Sequence, residues 1–159
     1  TSTCGAQTPP TVHTAEVFHS HERRTLGFYV VVLDEADGGV ALGDIEVDFL
    51  DDDGEVVVDD FGWPRVLDVE ADWQPAASSF METRAAFDLV DSPLPLNTTQ
   101  ARVRVATVDG VFSSSMTATL QLPAVLPAGA PCDVGEAFAQ CPTSQVCVDA
   151  MPFAQCTAE

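Results

Sequence analysis

The chain has 159 residues, with 6 Lys plus Arg against 25 Asp plus Glu, a formal net charge of −19 and a pI near 4.1. All six cations are arginines and acids run through the whole chain, which excludes a nucleic-acid binder, since that needs clustered basic residues, and disfavours an anionic membrane surface. At 46% hydrophobic the composition is that of a globular protein with a core; no apolar run approaches the roughly 18 residues of a membrane helix and no signal-peptide pattern is present, so a soluble, already trimmed protein is expected.

In chain order, residues 1–11 read as a linker that ends in the Pro9–Pro10 pair and carries Cys4, an odd cysteine able to hold a lipid, bridge to another chain or stay free. All three histidines follow, between positions 13 and 21. His19 and His21 fall on one side of an extended segment, where two imidazoles can hold Zn²⁺ or Cu²⁺ together with Glu16 or Glu22; an exposed turn is the plainer reading of that His-Ser-His-Glu-Arg-Arg run.

From there to Leu122 the dominant period is two. Gly27 to Leu33 is apolar on both faces and reads as a central strand. Ile45, Val47 and Phe49 alternate with Glu46 and Asp48, and Val56 to Val58 makes a short strand after the turn at Asp53 and Gly54. Leu67, Val69, Ala71 and Trp73 alternate with Asp68, Glu70 and Asp72; Thr83, Ala85, Phe87 and Leu89 with Glu82, Arg84 and Asp88. Pro75 and the Ser78–Ser79 pair argue for a loop rather than a helix between these two runs. Val103 and Val105 then oppose Arg102 and Arg104, while Met116, Ala118, Leu120 and Leu122 oppose Thr117, Thr119 and Gln121. Asp109–Gly110 supplies the positive φ angles of a tight hairpin, which makes the last two strands neighbours. Seven or eight short strands without a helical stripe predict an all-β fold, an antiparallel sandwich of two packed sheets over residues 12–122.

A Pro-rich joint, 123–131, leads to a cysteine-rich segment, 132–159, that holds Cys132, Cys141, Cys147 and Cys156. Their spacings of eight, five and eight residues do not match the close pairs of zinc knuckles, so disulfides are expected and, with them, an oxidising address: secreted, periplasmic or cell surface. Four cysteines allow three pairings. Sequence does not choose among them; Cys132 with Cys147 and Cys141 with Cys156 is preferred because crossed bridges best stabilise a segment without its own core.

The run from Pro10 through Val12, then Gly27 to Val32, Asp37-Gly38-Gly39, Gly43 to Phe49 and Asp53 to Val57, resembles the immunoglobulin-like or cadherin-like modules of bacterial surface and secreted proteins. The Val103 to Gly110 stretch is similar to their last strand pair, and the tail at Pro131-Cys132-Asp133, Cys141-Pro142 and Gln145 to Val148 to small disulfide-rich repeats that follow such modules. The antibody-type cysteine pair and central Trp are absent, and the Asp-rich linker motifs of cadherins are incomplete. The resemblance implies an immunoglobulin-like β-sandwich with a disulfide-stapled extension, and a protein that displays, spaces or binds without chemistry.

Two acidic turns are the candidate site. Asp34, Asp37 and Asp44 surround one, and Asp48, Asp51 and Asp53 the other, offering the oxygens that Ca²⁺ takes in its shell; a solvated acidic turn is the plainer reading. Trp63 and Trp73 stand beside prolines and acids, where an exposed indole can grip a sugar or a peptide and a buried one simply packs. No nucleophile elbow, zinc-protease helix or phosphate loop occurs. The expectation is therefore a non-catalytic extracellular structural or interaction module, its partner a protein or surface glycan. A calcium-dependent adhesion module is the alternative, and a carboxylate-dependent hydrolase the third reading.

Overall fold

Where apolar side chains recur at every second position the chain pairs into strands, and a computed structural model describes residues 9–33, 42–59, 61–62, 66–75, 80–88 and 94–159. Among the described residues twelve strands are formed: β1 Thr11–Ser20, β2 Thr25–Leu33, β3 Leu42–Leu50, β4 Val66–Val69, β5 Gln74–Pro75, β6 Phe80–Asp88, β7 Gln100–Thr107, β8 Met116–Gln121, β9 Ala124–Val125, β10 Ala139–Gln140, β11 Gln145–Val148 and β12 Gln155–Ala158. No helix occurs among the described residues.

The first eight strands make one sheet in the order β4-β3-β7-β8-β1-β2-β6-β5. It is mixed rather than purely antiparallel as expected: β1 runs parallel to β8, with Val17 opposite Leu120 and Phe18 opposite Gln121. The reason is topological. Consecutive strands that pair directly, such as β1 and β2, must run antiparallel, whereas at the seam the first and last strands of the sheet meet and no turn dictates their direction.

The sheet curls so that the apolar faces of both arms line a single core. Val17, Leu26, Phe28, Val30 and Val32 come from one arm and Ile45, Val47, Val69, Val103 and Val105 from the other. Each large buried side chain of this set contributes on the order of 1.5–3 kcal/mol relative to exposure. In β1, Val12 and Val17 are an odd number of positions apart and would face opposite sides of a regular strand, yet both are buried, at 8% and 0% exposure. The register slips between Val12 and Thr14, and this bulge reverses the parity and turns Ala15, Val17 and His19 inward.

Three local expectations need correction. The run from Leu67 to Trp73 is not one strand: β4 ends at Val69, and the Trp73 ring packs against the core while its Nε1 donates to the Gly43 carbonyl at 2.8 Å. Val56 makes only an isolated bridge to Leu50. At the Asp109–Gly110 turn Gly110 alone takes positive φ, 88°, and the turn is closed by Gly110 N–H donating to Thr107 O at 3.0 Å. The glycine satisfies the turn by itself, so Asp109 stays in ordinary backbone.

The C-terminal unit is knitted by disulfides Cys132–Cys147 and Cys141–Cys156, the crossed pairing. Its small core is made of Cys141, Cys147 and Cys156 with Leu126, Cys132 and Ala154 against them. Residues 123–131, expected as a joint, are woven into this unit. Strand β9 pairs in parallel with β10, Leu126 N donates to Gln140 O at 2.8 Å, and Ala130 O accepts from Cys156 N at 2.9 Å.

The unit docks on the outer face of β1, β2 and β6. Gly27 permits the contact: a Cβ there would stand 2.8 Å from the Ala137 carbonyl oxygen. Beside it the Phe138 ring meets Phe18 edge-on at 5.7 Å and lies 4.0 Å beneath the Arg84 guanidinium. From the β1–β2 turn Arg23 completes the clamp. It donates to Glu136 Oε2 at 3.0 Å and to the carbonyls of Cys141, Pro142 and Gln145 at 3.1, 3.1 and 2.7 Å. Glu136 also accepts from the backbone N–H groups of Cys141 and Cys147, at 2.7 and 3.4 Å. Its backbone stands at φ 48°, a region that a non-glycine residue enters rarely.

Candidate functional site

Sheet register decides which charged side chains meet. On the outer face of β3, Glu46 lies opposite both Arg104 of β7 and Asp68 of β4, and Asp48 lies opposite Arg102. Arg104 Nε donates to Glu46 at 2.7 Å and Arg102 Nη2 to Asp48 at 2.7 Å. Half-exposed pairs of this kind contribute only about 0–1 kcal/mol each; their main consequence is that two of the acids are already neutralised. Arg104 also covers the Phe112 ring at 3.9 Å.

Where β3 and β4 approach the β7–β8 turn, an open groove of about 390 Å³ is lined by Gly43, Asp44, Glu46 and Asp68, and by Ala106, Thr107, Val108, Gly110 and Phe112. Its floor is backbone, since a Cβ at Gly43 would stand 3.2 Å from Thr107 O. Desolvation, then the charge of Asp44, a hydrogen bond shared with it and the charge of Glu46 raise the Asp68 carboxyl above the ordinary carboxylate range. Both carboxyls, of Asp44 and Asp68, are exposed. The groove thus offers anionic acceptors rather than an acid/base pair shielded from water.

The calcium candidates are dispersed. Asp34 and Asp37 lie outside the described residues, as do Cys4 and Trp63. Asp44 is in the groove, and Asp48 is tied to Arg102. Asp51 Oδ1 accepts from the N–H groups of Asp53 and Glu55 at 2.9 and 3.0 Å, so it shapes its own turn, and Asp53 is exposed there. Among the described residues, the group of three metal-capable side chains that converges is Cys132, Cys141 and Cys156, with atoms within 4.8 Å of one another, and their sulfurs are taken by the two bridges.

The two histidines do come together. His19 points into the end of the core with 3% of its surface exposed, and its ring centre is 4.5 Å from that of exposed His21, the planes at 85°. Burial, with the neighbouring His21 second, lowers His19 to about 4. Glu16 sits on the opposite face of β1 from His19, because the bulge precedes both and the alternation between them is regular.

Arg23 and Glu136, which organise the covered face, carry no local signal in the sequence. They are 113 positions apart, and Arg23 belongs to the run read as an exposed turn. In comparison with known proteins, no family model, no curated protein and no solved structure matches the chain.

Proposed function

We propose that the protein is a non-catalytic extracellular module with an immunoglobulin-like β-sandwich, part of a bacterial secreted or surface protein, that acts as a structural or interaction unit. The strand order supports the fold. Lettering β1 to β8 as A, B, C, C′, D, E, F and G yields the arms A-B-E-D and C′-C-F-G, the two sheets of such a sandwich.

The observation that carries the functional reading is the docking of the disulfide unit. A half-buried arginine, a buried glutamate and two bridges are used to hold one part of the chain on another, and the bridges persist only in an oxidising compartment. The partner, a protein or a surface glycan, would then meet the uncovered face of β4, β3 and β7 with its groove. Intact mass before and after reduction tests the compartment: two bridges are expected, and four alkylatable thiols in the C-terminal unit of the native protein would sink the reading. A melt with millimolar Ca²⁺ separates it from calcium-dependent adhesion. This reading expects an unchanged Tm, because Asp48 and Asp51 are already engaged; a clear rise, abolished by chelator, would favour the alternative.

A further inference from the structure

We propose that His19 and His21 form a binding site for a divalent transition-metal ion of the imidazole-preferring kind, with Cu²⁺ held most tightly. Three observations converge on the end of β1. The rings are neighbours at 4.5 Å and nearly perpendicular. His19 is 3% exposed, and its Nε2 is buried without a hydrogen-bond partner. His21, at the mouth, is exposed to solvent.

The orphaned nitrogen is the observation that asks for a ligand. A buried polar atom left unpaired is rare in folded proteins, and an ion is one of the few things that answers it. Edge-to-face packing of the rings alone accounts for their distance but leaves Nε2 unanswered. An ion accounts for both. With metal–imidazole bonds of about 2.0–2.1 Å, each ring centre stands roughly 3.2 Å from the metal, and two rings in adjacent coordination positions have centres roughly 4.5–5 Å apart. Two nitrogen ligands select for Cu²⁺, Ni²⁺ or Zn²⁺ over Ca²⁺ or Mg²⁺, and among the former the affinity order places Cu²⁺ first. Water completes the shell.

The test uses the full chain with any thiol at Cys4 alkylated, titrated with Cu²⁺ in excess Ca²⁺ so that the acidic surface is occupied by a hard ion. One site is expected, with an EPR spectrum showing nitrogen ligation and a Tm that rises with the metal. His21→Gln, at an exposed position that does not threaten folding, should weaken binding by at least tenfold, the scale that even second-shell changes around a metal reach. His19→Gln should do the same and His13→Gln should leave binding unchanged. Unaltered Cu²⁺ affinity in His21→Gln, or a spectrum of oxygen ligands only, would overturn the proposal.

Discussion

The two outer faces of the curled sheet carry similar chemistry and use it differently. On the β1–β2–β6 face an arginine and a glutamate are buried together, at 16% and 9% side-chain exposure, and lock a second structural unit in place. On the β4–β3–β7 face two arginine–carboxylate pairs remain 32% to 44% exposed and stay within their own sheet and its β7–β8 turn. Exposure decides what an ion pair is worth. In water the attraction is offset by hydration, whereas a pair surrounded by protein must stay complete, because either partner alone would be an uncompensated buried charge.

The largest expected effect tests that contrast directly. Arg23→Ala removes the cation that pairs with Glu136 and donates to three backbone carbonyls, and should cost about 3–5 kcal/mol in a denaturant melt, while Arg102→Ala on the open face should cost less than about 1 kcal/mol. Equal losses would erase the distinction. Gly27→Ala comes next: the added methyl collides with the Ala137 carbonyl, so a loss of about 1–3 kcal/mol is expected, together with faster proteolysis within 124–159.

Third is pH. His19 is lowered from 6.5 to about 4 in the folded state, so above pH 6.5 the stability is complete, and as pH falls toward 4 the unfolded chain takes up a proton that the folded chain refuses. The full shift corresponds to about 3 kcal/mol, and solvent screening at that end of the fold brings the expected loss to about 1–2 kcal/mol. A Tm series from pH 7 to 4, flattened in a His19→Phe variant, checks it. The smallest effect belongs to the groove. Asp68→Asn removes a like charge opposite Glu46 and should raise the Tm slightly at pH 7. That gain should fade as acid protonates the wild-type carboxyl, whose raised value brings this on at a higher pH than for an ordinary aspartate.

Much of the inner face was legible beforehand. Ile45, Val47, Val103 and Val105 are buried as their alternation predicts, because period two is a property of each strand alone. The crowding of the last four cysteines likewise announced bridges. What depended on register or on distant partners was not legible. The bulge at His13 reverses half of β1, and the neutralisation of Asp48 required knowing that Arg102 would lie opposite. Acids around a turn look alike in a sequence whether they face an ion, an arginine or their own backbone. Arg23, grouped with exposed neighbours in the letters, is the cation that the C-terminal unit is built around.

The parallel seam between β1 and β8 has a mechanical consequence. Tension applied between Thr11 and Gln121 runs along two side-by-side strands pulled in opposite directions, so the hydrogen bonds of the seam are sheared together instead of being peeled apart singly. A tether drawn taut through this fold would load that seam in shear.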